Sequence, residues 1–293
     1  MTPLFDLGER AMTCVGCHVG APADAERGLP VRDMNHDMIA AGHPRLNFDF
    51  AEYLRRLPRH WQEKDRTTNT PRTLNPAKVW YVGRYAHAEA ACRLLADRAL
   101  RSATDPHTPW PEFSEYNCAS CHHNLRISEP NEPSADWRKS AEYLAGRPLG
   151  TPLWQILWPL GSAPGVAHPP RAEALLSPVA TLMEGSSRWP PARGVPPIAL
   201  QMAQTLRKER MGWVAAPDAD VQRQVQRYLS HKGKLFPEWD TAQQLFYGLA
   251  AFDRAQGHYS EQLLKSYQSA MTAFRNNDWN EVEKALEAIR KGK

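Results

Sequence analysis

The chain has 293 residues, 42% of them hydrophobic and 23% charged, and a net charge of +4 from 36 basic and 32 acidic side chains. Those proportions are ordinary for a soluble globular protein of one large domain or two ordinary ones. They exclude a nucleic-acid-binding stripe, because the basic residues are scattered, and a transmembrane span, because no apolar run approaches the roughly 20 residues one needs.

Residues 1–30 read as a charged lead-in, the motif "TCVGCHVG" and a loop containing Pro and Gly. The stretch "NHDMIAAGHP" fits a short helix capped by Asn35 and ended at Gly42, with His43 turned out of the helical region by Pro44. A second helix is expected from Pro44, with Leu46, Phe50, Tyr53, Leu54 and Leu57 as its apolar stripe and Pro58 as its stop. The clearest helix signal follows: Asn75 as N-cap, Pro76 at the first helical position, then about 25 residues without a breaker. Inside it, Cys92 reads as a small buried core residue, as free cysteines usually are. Trp80, Tyr81 and Tyr85 read as core.

Residues 105–133 hold five prolines and a second motif, "NCASCHHNL", and are expected to be irregular. Residues 146–197 hold eleven prolines, too many for long helices; they read as a linker or surface-packed segment with one short helix, "PRAEALL". From Ile198 to the C-terminus five helical segments return: "IALQMAQTLRKER", "DADVQRQVQRYLS", "DTAQQLFYGLAAFDRAQ", "SEQLLKSYQSAMTAFRN" and "DWNEVEKALEAIRKG". Strand patterns are nearly absent. The expected fold is mainly α, with a helical and loop domain over 1–145 that contains both motifs, the Pro-rich segment 146–197 and a helical region 198–293.

Four of the five cysteines sit in two C-x-x-C-H units, Cys14/Cys17/His18 and Cys118/Cys121/His122. In such a unit two thiols can add across the two vinyl groups of a haem, while the following imidazole ligates the iron. A four-thiolate zinc site would use the same cysteines but leaves His18 and His122 without a role. A thiol-redox site needs a βαβ context that the sequence lacks. Two covalently bound c-type haems are the reading that uses every residue of both units.

"RAMTCVGCHVG", "MNHDMIAAGHPRLNFDF", "LPRHW" and "EYNCASCHHNL" resemble the multihaem cytochromes of the cytochrome c554 type, over roughly residues 7–126. The resemblance implies electron transfer by covalent haems, with bis-histidine iron, in the periplasm or another exported location. Members usually carry more haem-attachment units than the two seen here. The N-terminal "MTPLFDLGERAMTC" lacks the basic and apolar regions of an export signal, so Met1 is expected not to be the natural start, or the chain to be a fragment.

Two distal ligands are needed if both irons are six-coordinate. His36 and His43 lie seven residues apart, about 20° and roughly 10 Å on a continuous helix, and could serve one haem or two. His123, beside the proximal His122, could reach a neighbouring iron. His87 has Gly83, Ala90 and Ala91 on its helix face, which suits either a flat macrocycle or close helix packing. His60 reads as structural, and His107, His168, His231 and His258 as exposed. Met34 and Met38 read as core rather than as ligands. The function expected is an electron carrier docking briefly to redox partner proteins. The competing classes are a haem oxidoreductase of small nitrogen compounds with one open axial site, and an interaction subunit of a larger haem complex.

Overall fold

The structure is a computed structural model that describes residues 4–43, 49–58, 63–64, 68–115, 192–229, 239–258, 261–275 and scattered positions from 278 to 288. Within those residues the protein is mainly α-helical, as expected. The only strands among them are β1 (Gly20–Ala21) and β2 (Arg32–Asp33), an antiparallel pair of two residues each.

The N-terminal region departs from the expected lead-in and loop. Helix α1 (Leu7–His18) carries the whole first motif. Asp6 caps it, accepting the Glu9 amide at 2.9 Å, and Leu7, Ala11 and Val15 form its buried stripe. Helix α2 (His36–Ala40) begins where Asn35 accepts the Met38 amide at 3.0 Å. It ends before Gly42, whose φ of +94° is a conformation that favours glycine. Helix α3 is Phe50–Arg56 and does not reach back to Pro44. Asp49 is extended and accepts the Glu52 amide at 2.7 Å, which fixes the start by capping. Of the expected stripe, Leu46 lies outside the described residues, Phe50 is buried and Leu57 is exposed.

Helix α4 (Pro76–Thr104) is capped by Asn75 with Pro76 in its first turn. Every residue from Ala77 to Cys92 is buried. A helix with no solvent face belongs at the centre of a bundle. Around it pack α1, α3, α5 (Val195–Ala215), α6 (Asp218–Leu229) and α7 (Trp239–Ala255), with the α4–α5 interface the largest. Helix α8 (Glu261–Arg275) packs on α7. The core therefore draws on residues from both sides of the Pro-rich stretch in one cluster. Helix α5 starts at Val195, so Pro196 and Pro197 stand in its first turn and do not close the linker; proline fits there because its missing N–H would have no partner. In the fifth expected C-terminal helix the described residues between 280 and 288 are helical, and Asp278 ahead of them accepts the Glu281 amide at 3.0 Å.

Two contacts explain the close packing on α4. A side chain at Gly83 would come within 2.7 Å of the Phe50 Cβ, so the glycine lets α3 cross α4. Gly248 of α7 in the same way faces the Trp80 ring. Glu89 and Lys78, both buried on α4, are paired: Glu89 with Arg210 of α5 at 3.0 Å, and Lys78 with the Ala216 carbonyl at 2.6 Å and Asp218 at 3.2 Å. The expectation for Cys92, Trp80, Tyr81 and Tyr85 holds, all being 2% exposed or less. That for Met38 does not: it is 44% exposed, because α2 buries none of its residues. No helix among the described residues is long and apolar enough to cross a membrane.

Candidate functional site

Cys14, Cys17 and His18 occupy the last turns of α1. At 100° per residue, Cys14 and His18 continue the stripe begun by Leu7 and Ala11, and Cys17 lies on its margin. Burial follows that geometry: Cys14 and His18 are half-buried, Cys17 is exposed, and Cys14 packs against the core. Both thiols are free. Burial pushes the Cys14 thiol up, against the pull of the Arg10 guanidinium one turn before it. Arg10 is itself buried and held by Glu63 and the Leu4 carbonyl, the latter at 2.8 Å. On the opposite side of the motif the Arg32 guanidinium of β2 lies over Gly16, 3.4 Å from where a side chain would begin.

The His18 ring meets the Tyr53 ring of α3 edge-on, with centroids 5.0 Å apart. Burial, and after it the charge of His43, hold the His18 imidazole below its usual value. A neutral imidazole is the form that ligates a metal. The chain reversal at Gly42 thus brings His43, exposed after α2, into the electrostatic range of His18 although 25 residues separate them in sequence.

His36 has other surroundings. Its amide donates to Glu112 Oε1 at 2.7 Å, and its ring meets Phe113 edge-on at 5.7 Å. Glu112 and Phe113 belong to the segment that ends in a 3-10 turn at Phe113–Glu115, just ahead of the second motif. A charged clasp holds this region together. Arg98 of α4 pairs with Asp33 of β2 and with Glu115, and Arg101 pairs with Asp33 at 2.9 Å and Asp97 at 2.7 Å. Asp33 and Glu115 each stand three residues before a candidate ligand, His36 and Cys118.

Of the histidines expected near iron, His43 acts electrostatically on His18, and His36 meets Glu112 and Phe113. His87 is fully buried, and the space beside Gly83 on its helix face is filled by Phe50. Close helix packing is therefore what those small residues serve. His107 and His258 are exposed, as expected. Cys118, Cys121, His122, His123, His60, His168, His231 and the "PRAEALL" segment lie outside the described residues. Among the described residues no three His, Cys, Asp or Glu side chains converge as a metal site by themselves.

The residues of the first unit fit a haem c on chemical grounds. Two free thiols and an imidazole share one flank of α1 where the apolar stripe runs out, and a second imidazole and an aromatic ring stand close by. A macrocycle bound there would extend the core. The sequence reading missed Tyr53 as a neighbour of the site, seeing it only as part of an apolar stripe, and missed Arg32 and Asp49. Signals for the two missed helix starts were present: Asp6-x-x-Glu9 and Asp49-x-x-Glu52 are both capping patterns.

No family model, curated protein or solved structure matches this chain.

Proposed function

We propose that this chain is an electron-transfer protein with two covalently attached c-type haems. Cys14, Cys17 and His18 would hold the first, with the His43 imidazole available as a further nitrogen ligand. Cys118, Cys121 and His122 would hold the second. His36 is assigned to that second iron, because Glu112 and Phe113, which hold it, lead directly toward Cys118; His123 is the alternative.

The observation that carries this reading is the placement of two free thiols and the His18 imidazole together in the last turns of α1, with the Tyr53 ring 5.0 Å from the imidazole. When bound, the haem supplies a one-electron couple, and two imidazole ligands set its potential below that of a His/Met haem. The protein's own contributions are specific. The thiols fix the macrocycle edge, Tyr53 orients the His18 ring, and Arg10 with Glu63 anchors α1 against the core. The partners would be redox proteins that dock briefly, and the location periplasmic or otherwise exported.

Expression in a host with cytochrome c maturation machinery, followed by a pyridine-haemochrome assay, tests the proposal. Two covalent haems per chain are expected. Protein that carries none and binds zinc through its cysteines would overturn it.

A further inference from the structure

Asp49 is a buried carboxyl group with no part in the haem-holding set. It is 4% exposed, its Oδ1 caps α3 through the Glu52 amide at 2.7 Å, and its Oδ2 has no hydrogen-bond partner among the described residues. A carboxylate oxygen buried without donors is costly while charged and cheap when protonated. The group is connected to the first motif by one turn of helix. The Tyr53 amide donates to the Asp49 carbonyl at 3.0 Å, and the Tyr53 ring meets His18. Asp49 and Tyr53 are therefore one turn, about 6 Å of rise, apart on the same helix.

We propose that Asp49 is a proton-binding site linked to the redox state of the iron held by His18. The inference rests on the haem reading above. Asp49 takes up one proton from solvent as a one-electron donor delivers one electron to the ferric iron; the carboxylate becomes a carboxylic acid, and the iron becomes ferrous. Both charges arrive together, so the net charge of the buried region is unchanged. The linkage is reciprocal: an ionised Asp49 favours ferric iron, and reduction favours the protonated acid.

Several groups among the described residues act on Asp49. Arg84 of α4 favours its ionised form, as do the Glu52 and Ala51 amides, while Glu52 opposes it and Tyr247 of α7 lies within electrostatic reach. Glu52 is largely occupied by Arg55 at 2.5 Å, Arg56 at 2.7 Å and Arg254 at 3.4 Å. Burial outweighs these and pushes Asp49 up to about 6, which puts its titration inside the range where a cellular redox protein works.

The test is a spectroelectrochemical titration of the haem-loaded full chain between pH 4.5 and 8, with Asp49→Asn beside the wild type. Asparagine keeps the helix cap and cannot ionise. The wild-type midpoint potential of one haem should fall as pH rises through about 6, and that component should be lost in Asp49→Asn. Infrared reduced-minus-oxidised difference spectra give a second readout. A carboxylic-acid carbonyl band should appear on reduction near pH 6 and be missing from the variant. Haem-loaded protein whose pH profile and infrared band are the same in both forms overturns this inference and leaves the haem reading intact. A chain that takes up no haem overturns both.

Discussion

Arg210 of α5 and Glu89 of α4 form an ion pair at 3.0 Å with side chains 2% and 0% exposed, joining residues 121 apart in sequence. Glu9 of α1 approaches the same guanidinium at 3.7 Å, and its Nη1 fills the space over Gly8. Arg210 therefore ties α1, α4 and α5 at one point. Arg210→Ala leaves the Glu89 charge buried with only Arg93 at 2.6 Å and is expected to destabilise the fold by about 3–5 kcal/mol. Arg210→Met with Glu89→Leu should recover most of the loss, because an apolar pair of similar volume removes the stranded charge. Urea unfolding of the single and double variants checks this.

The crossing of α3 over α4 depends on Gly83. Adding a methyl group there meets the Phe50 Cβ at 2.7 Å and its ring at 3.3 Å, so Gly83→Ala should cost about 1–3 kcal/mol through overpacking. Because α3 also carries Tyr53, the variant should disturb the surroundings of His18 as well. Combining it with Phe50→Gly, which removes that Cβ as well as the ring, relieves the clash, and the two changes should then be strongly non-additive in thermal unfolding. Strict additivity would remove the contact from the account.

Asp49 makes stability depend on pH in a stated direction. Its folded-state value is raised from 3.8 to about 6, mainly by burial, so between those two values the folded protein binds more protons than the unfolded chain. Stability from this group is thus highest below about pH 4 and falls as pH rises to about 6, a loss of about 3 kcal/mol in all. Glu52 acts in a different window and with opposite sign: Arg55 and Arg56 hold it down to about 2, so its contribution is present above about 4.5 and disappears on acidification toward pH 2. Relative to wild type, Asp49→Asn should therefore gain stability steadily from pH 4 to pH 6 in urea unfolding. A difference that stays constant over that range would contradict the assignment.

The two candidate distal ligands should separate by experiment. His43→Ala should leave both haems covalently attached, turn the first iron high-spin and let it bind carbon monoxide when reduced. His36→Ala should affect a different iron, and the double variant both. Electron paramagnetic resonance with carbon monoxide difference spectra checks this. Two irons that remain low-spin and unreactive in the double variant would show that neither histidine ligates.

Each motif thiol offers a further check. Cys17→Ala should remove one thioether from the first haem and leave the second unit fully loaded, as read by mass spectrometry of the haem-bearing peptides. Loss of bound metal from both units at once would point to a shared four-thiolate centre.

What the sequence determined by itself was local. Asn35 with Gly42, and Asn75 with Pro76, delimit α2 and the start of α4 because caps and breakers act on the backbone within a turn of themselves. The two C-x-x-C-H units were legible for the same reason: the chemistry lies in the spacing. The starts of α1 and α3 are equally local, set by the Asp6 and Asp49 caps, although the apolar pattern ahead of α3 runs back toward Pro44 in the sequence. Tertiary structure alone decided the rest. That the His43 charge reaches His18, that Phe50 fills the space beside Gly83, that Arg98 clasps Asp33 and Glu115, and that Asp49 is buried all depend on which helices meet. Such pairings join residues tens to more than a hundred positions apart, and their free energy comes from burial and charge pairing between surfaces that exist only once α4 is enclosed.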